Sequence, residues 1–193
     1  MNKADLRKYY LEKRNELTAE EVAKKSLLIK SLLFSRLMMH RYDKVHCYLP
    51  IKKRNEVDTT LIINTLLKDF PLNIYVPQIH KQGILTHHLF KENTVTEENK
   101  WGVPEPSNEG ISSEAFFATD DDILVIIPLL ACDKTGNRVG YGKGYYDRFL
   151  EFATENTQLV GLSFFEPEEL IKGTADTDIP LNNLITWERV YSF

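Results

Sequence analysis

Five consecutive apolar residues, Ile123-Leu-Val-Ile-Ile127, lead through a short apolar segment into a glycine-rich stretch that ends at Arg148. A strand with one wet face alternates apolar and polar side chains. One that is apolar throughout is covered on both faces, as in the middle of a parallel sheet between helices. Strand, glycine loop and helix in that order form a βα unit. Open α/β sheets bind ligands outside the carboxyl ends of their strands, so this segment constrains both the fold and the place to look for a site.

The remaining pattern supplies partners for that strand. A charged amphipathic helix is predicted over residues 3–16. Thr18-Ala-Glu-Glu21 has the form of a capping box and opens a helix to about Leu37, with Val22, Ile29, Leu33 and Leu37 on one stripe. Lys44 to Leu49 alternates Val45, Cys47 and Leu49 with His46 and Tyr48, a strand pattern. Asp58 is placed to cap a short helix through Lys68. Further strands are expected at Asn73–Val76, ended by Pro77, at Ile84–Phe90 after the turn Lys81-Gln-Gly83, and at Leu159–Phe164. Residues 91–119 read as irregular, Gly144 to Phe152 as a helix and Pro167 to Ile171 as a helical turn. Strands alternating with helices imply an α/β fold: a single-domain, three-layer α/β/α, Rossmann-like architecture over residues 1–193, with a mostly parallel central sheet.

Composition narrows the function. A chain of 193 residues, 42% apolar and 27% charged, has the makeup of one ordinary globular domain. With 24 basic against 28 acidic residues, the net charge of −4 gives no basic excess for nucleic acid. No apolar run is long enough to span a bilayer, and the beginning of the chain is charged from Lys3 without a secretory apolar core. Cys47 and Cys132 have no metal-binding spacing. The expectation is a reduced, cytoplasmic protein without nucleic-acid or membrane partners.

The chemistry is concentrated in Asn137-Arg138-Val-Gly140-Tyr141-Gly142-Lys143-Gly144-Tyr145-Tyr146-Asp147-Arg148. Alternating glycines let the backbone approach a ligand closely, and successive N–H groups in such a loop seat anions. Arg138 and Lys143 add two positive charges, so a phosphate is the natural guest. The spacing fits neither Gly-x-x-x-x-Gly-Lys-[Ser/Thr] nor Gly-x-Gly-x-x-Gly. The alternative is a flexible turn before an ordinary helix. Tyr145 and Tyr146 fall on different helix faces, so one can enter the core while the other meets a planar ligand. His87 and His88 alternate on a strand and make a poor metal pair, and nothing beyond proximity marks Cys132 as a catalytic thiolate.

This loop resembles the signature of the 5-formyltetrahydrofolate cyclo-ligases, also called methenyltetrahydrofolate synthetases. The resemblance extends along nearly the whole chain. Lys3-Ala-Asp-Leu6-Arg7 is similar to the family's Lys-x-x-Leu-Arg, and Arg14 follows where a further basic residue is usual. Tyr48-Leu49 with Glu56-Val-Asp58, Trp101-Gly-Val-Pro-Glu-Pro106 and Asp178-Ile-Pro-Leu181 resemble further family elements in order and spacing.

The resemblance implies ATP-dependent closure of 5-formyltetrahydrofolate to 5,10-methenyltetrahydrofolate, with release of ADP and phosphate and with Mg²⁺ accompanying the nucleotide. It implies that Arg138, Lys143 and Tyr145 are catalytic. ATP would be bound by Lys3, Arg7, Arg138, Gly140, Tyr141, Gly142, Lys143, Gly144, Tyr145 and Tyr146. Leu49, Glu56, Trp101 and Tyr145 would line the folate pocket, and Asp147 would be the magnesium-linked carboxylate. Read without the resemblance, Lys3 and Arg7 are solvated helix residues, Glu56 a surface charge, and Asp147 a carboxylate well placed in a first helical turn. Lys52-Lys-Arg54 either attracts an anionic folate tail or is solvated surface. Where the family often has Asp-x-x-x-Asp, this chain has Asp178-Ile-Pro-Leu-Asn182, which puts a second metal carboxylate in doubt. Two other readings remain: a different phosphate-handling enzyme such as a sugar-phosphate isomerase, and a noncatalytic folate- or nucleotide-binding module.

Overall fold

The computed structural model describes residues 1–99, 102–175 and 177–193. Two helices come first, α1 (Lys3–Asn15) and α2 (Ala19–Arg36), followed by β1 (Lys44–Cys47), α3 (Thr60–Asp69), β2 (Asn73–Ile79) and β3 (Leu85–Leu89). Then come β4 (Thr96–Glu98), β5 (Pro104–Pro106), β6 (Ile111–Ser112), α4 (Ser113–Phe117) and β7 (Ile123–Pro128). The chain continues through β8 (Ala131–Cys132), β9 (Arg138–Val139), α5 (Tyr145–Leu150), β10 (Thr157–Leu162), β11 (Asn183–Ile185) and β12 (Val190–Ser192).

One eight-stranded sheet has the order β12-β11-β10-β7-β1-β2-β3-β6. From β11 to β2 every pairing is parallel; the outer pairings at both edges are antiparallel. The uniformly apolar β7 lies inside it, buried from Ile123 to Ile127. Leu124 and Ile126 join Val45, Cys47, Ile74 and Val160 under Ile29 and Leu33 of α2 and Ile62, Ile63 and Leu66 of α3. On the opposite face Ile123, Val125 and Ile127 pack with Phe116 and Phe117 of α4 and Phe149 and Leu150 of α5. These are the three layers of an α/β fold with a mostly parallel sheet.

Helix α1 belongs to neither layer. Its Leu6 and Tyr10 pack on Leu130, Ala131, Val139 and Ile171, beyond the carboxyl end of β7. Asn2 starts it, accepting the N–H groups of Ala4 and Asp5 at 2.9 Å. The capping box of α2 is complete, with Thr18 and Glu21 bonded reciprocally. Helix α3 starts one residue later than expected: its N-cap is Thr59, while Asp58 accepts the N–H of Thr60 at 3.1 Å.

Several local expectations are corrected. Pro77 lies inside β2 rather than ending it, because β1 pairs only with Asn73–Tyr75 and the missing N–H faces no strand. Ile79, two residues on and on the same edge, donates instead to Glu105 Oε1 at 2.9 Å. Residues 91–119 are not irregular throughout, since they contain the β4–β5 pair, β6 and α4. Pro167–Ile171 is not helical; Glu168 bridges to Asp133 and its carbonyl takes the Lys134 N–H. The alternation in β1 does not separate a wet face, because all four of its residues are buried.

That burial brings His46 to His87, ring centres 5.0 Å apart, among Phe116 and Phe149. His87 Nε2 is hydrogen-bonded to Ser113 Oγ at 3.0 Å, while neither ring nitrogen of His46 has a partner among the described residues. Burial holds His46 well below the usual histidine range and lowers His87 to about 3. Both are neutral when folded, whereas the unfolded chain binds protons below its ordinary histidine value. Stability is therefore expected to fall by about 1 kcal/mol per histidine between about pH 6.5 and pH 5.5. His46→Phe should flatten that loss; an equal loss in the variant, measured by urea unfolding at both pH values, would remove His46 from the account.

Candidate active site

A cavity of about 170 Å³ opens where β1, β2 and β7 end, closed by α1 on one side and the glycine loop on another. Lys3, Arg7, Leu49, Glu56, Arg138, Gly140, Tyr141, Gly142, Lys143, Gly144, Tyr145, Tyr146 and Asp147 all line it. Trp101 lies outside the described residues. The apolar wall comes from Leu49, Ile51, Ile79, Leu85, Val103 and Pro104.

Loop conformation explains two of the glycines. Gly142 has φ +82°, and a Cβ there would sit 2.9 Å from Arg7 Nε; Gly144, at φ +67°, starts α5. Gly140 has no such backbone and no crowding, but its carbonyl accepts from Arg7 Nε at 3.0 Å. Helix α1 is thereby tied to the loop.

The charges divide into bound and open. Arg138 is buried, donating from Nη2 to Asp147 Oδ1 at 2.5 Å and from Nη1 to the Ile179 carbonyl. Burial lowers its pKa, opposed by Asp147 and Asp178. Lys3 is paired with Asp178, whose carboxyl is held below the usual range because hydrogen bonds from Lys3 and Ala175 outweigh burial. Lys143 is exposed and makes no ion pair or side-chain hydrogen bond among the described residues, so its ammonium is open to an anion.

Glu56 also lines the cavity and is buried, accepting from Ile51 N–H at 2.7 Å and from the Tyr141 hydroxyl at 2.6 Å. It is no surface charge. Burial pushes its carboxyl up, and Arg14 leads the influences pulling it back. Tyr145 donates to the His80 carbonyl at 3.2 Å. The Tyr146 hydroxyl is buried without a protein partner among the described residues, a cost that a polar ligand atom would relieve.

No group of three or more His, Cys, Asp or Glu side chains is placed to hold a metal among the described residues. Asp147 has one oxygen on Arg138 and a second without a hydrogen bond to the described residues, a donor set suited to an ion carried by phosphates. Asn182 is turned away from this role, since its Oδ1 accepts the Leu159 N–H at 2.7 Å just before β11. Lys52, Lys53 and Arg54 are exposed and do not line the cavity. Sequence reasoning missed Tyr48, Pro77, Ile79, Leu85 and Asp178 as lining residues. Of these, Tyr48 and Asp178 carried a signal, their places in Tyr48-Leu49 and Asp178-Ile-Pro-Leu181.

A basic glycine loop at the carboxyl ends of parallel strands, sharing one cavity with apolar side chains and a buried carboxylate, is the ligand site of an α/β enzyme fold. The chain belongs to the 5-formyltetrahydrofolate cyclo-ligase family, whose profile matches residues 1–186. It is 27% identical to the 5-formyltetrahydrofolate cyclo-ligase of Mus musculus, over 81% of this chain and 77% of that one. With the Mycoplasma genitalium cyclo-ligase it shares 29% identity, covering 72% and 84% respectively. The NMR structure of Aquifex aeolicus 5,10-methenyltetrahydrofolate synthetase matches with a TM-score of 0.81 at 30% identity, covering 100% of this chain and 93% of that one. The chain is accordingly an enzyme, an ATP-dependent ligase with 5-formyltetrahydrofolate cyclo-ligase activity. No helix among the described residues is long and apolar enough to cross a membrane.

Proposed function

We propose that this cavity closes 5-formyltetrahydrofolate to 5,10-methenyltetrahydrofolate in two steps, within one domain acting as a monomer. The formyl oxygen takes the γ-phosphoryl group of ATP, and ADP leaves. N10 then attacks the activated carbon and gives up its proton, and the carbon–oxygen bond breaks to release phosphate. Phosphoryl transfer asks the protein for positioning and charge stabilisation. Lys3, Arg7 and Lys143 face the phosphates beside the N–H groups of the Gly140–Gly144 loop, and Arg138, oriented by Asp147, stands with them. Glu56 accepts from N–H groups of the pterin, while Leu49 and Tyr145 pack on its ring. Tyr141 and Tyr146 stand between the nucleotide side and Glu56, with the Tyr141 hydroxyl bonded to that carboxylate.

The observation that carries this reading is the convergence of Lys3, Arg7, Arg138 and Lys143 on one cavity that Glu56 and Leu49 also line. Mg²⁺ would arrive with the nucleotide, held by phosphates, waters and the open oxygen of Asp147, and would neutralise phosphate charge. Cys47 and Cys132 are free thiols, which suits the cytoplasm. The test mixes purified protein with 5-formyltetrahydrofolate and Mg-ATP and follows methenyltetrahydrofolate absorbance. An ATP-dependent rise with equimolar ADP and phosphate is expected. Product without ADP formation would overturn the two-step scheme.

A further inference from the structure

Arg14 lies in the last turn of α1, where an arginine is ordinarily solvated, yet only 5% of its surface is exposed. Its Nη2 donates to the Tyr141 hydroxyl and stands 4.0 Å from Glu56 Oε1; Nη1 reaches the Leu129 carbonyl at 3.5 Å. Tyr141 in turn donates a hydrogen bond to Glu56 Oε1, and the Ile51 N–H donates to Oε2. Three segments far apart in sequence therefore meet on one carboxylate: α1, the loop after β1, and the glycine loop.

Resting on the reading of this pocket as the folate site, we propose that Arg14 is a positioning residue for the reaction, acting through Glu56 and Tyr141. It keeps the Glu56 carboxylate charged and fixed against the pterin. A buried carboxylate without a cation takes up a proton, and once protonated it offers fewer lone pairs to ligand N–H groups. Facing Glu56 are Arg14 from α1, Arg54 from its own loop, Tyr48 after β1, Tyr141 from the glycine loop and Tyr146 from α5. Arg54 is exposed, which leaves Arg14 as the buried cation of the group.

The experiment measures kcat and KM for both substrates across pH in the wild type, Arg14→Met, Arg14→Gln and Arg14→Lys. Loss of the charge is expected to raise KM for 5-formyltetrahydrofolate by about tenfold at neutral pH, with KM for ATP changed by less than about twofold. The acid limb of kcat/KM for the folate should move up by about one pH unit in Arg14→Met and Arg14→Gln, and return toward wild type in Arg14→Lys. Arg14→Gln keeps a donor for Tyr141 and stands in if the Met variant does not fold. Because Arg14 acts through Glu56, the double variant Arg14→Met/Glu56→Gln should be no worse than Glu56→Gln alone. An unmoved acid limb, or full additivity in the double variant, would overturn the proposal. An inactive wild type would instead overturn the reading of the pocket.

Discussion

Lys143→Ala is expected to lower kcat by about 10²- to 10³-fold, the loss that follows removal of one preorganised group from a developing charge. Lys143 is suited to this test because the fold does not use it. Its side chain is exposed in a loop and makes no ion pair among the described residues. Removing it should leave Tm within about 1 °C of wild type. Arg138 offers no such separation, since it is buried against Asp147 and the Ile179 carbonyl. Lys143→Arg should recover part of the rate. Wild-type turnover in Lys143→Ala would remove this residue from the phosphoryl-transfer step.

Asp133→Ala is expected to cost about 3–5 kcal/mol of stability, because it orphans several buried donors at once. The carboxylate is fully buried. Its Oδ1 accepts from the N–H groups of Thr135 and Asn137 at 3.0 Å and from the Thr135 hydroxyl at 2.7 Å. Oδ2 accepts from Ile171 N–H at 2.9 Å and Asn137 Nδ2 at 3.2 Å. Burial pushes this carboxyl up, but these bonds outweigh it and hold it below the usual range. Its contribution is thus complete at neutral pH and disappears only as pH falls through the folded value, below about pH 4. Urea unfolding at neutral pH measures the cost, and Asp133→Asn should recover part of it. A loss under about 1 kcal/mol would mean that water satisfies the freed donors. The turn that Asp133 organises leads directly into Arg138, so the same variant should lose activity before it unfolds.

What the sequence disclosed divides along physical lines. β7 was legible because a fully covered strand is apolar at every position, and the capping box because it is a local bond pattern. The glycine loop was legible because its chemistry is contiguous. Pro77 inside β2 was not, since the proline tolerates a strand only where a neighbour has already ended, and that depends on tertiary context. β11 and β12 are three residues each, too short for periodicity to register. His46 and His87 read as polar by type, and only assembly of the sheet shows both enclosed by aromatic rings. The pocket shows the same division. Its loop residues were legible, whereas the Lys3–Asp178 pair and the meeting of Arg14 and Tyr141 at Glu56 join segments that no local pattern links.

The placement of α1 bears on synthesis as well as catalysis. Lys3 pairs with Asp178, and the Lys172 N–H bonds back to the Met1 carbonyl at 3.1 Å. Lys3 leaves the ribosome 175 residues ahead of Asp178, roughly 10 to 35 s earlier at ordinary elongation rates. Until Asp178 follows, Lys3 lacks its carboxylate partner and the basic wall of the pocket is incomplete. The nascent protein can assemble β1, β2 and β7 early, but the pocket is complete only when α1 meets the segment around Asp178.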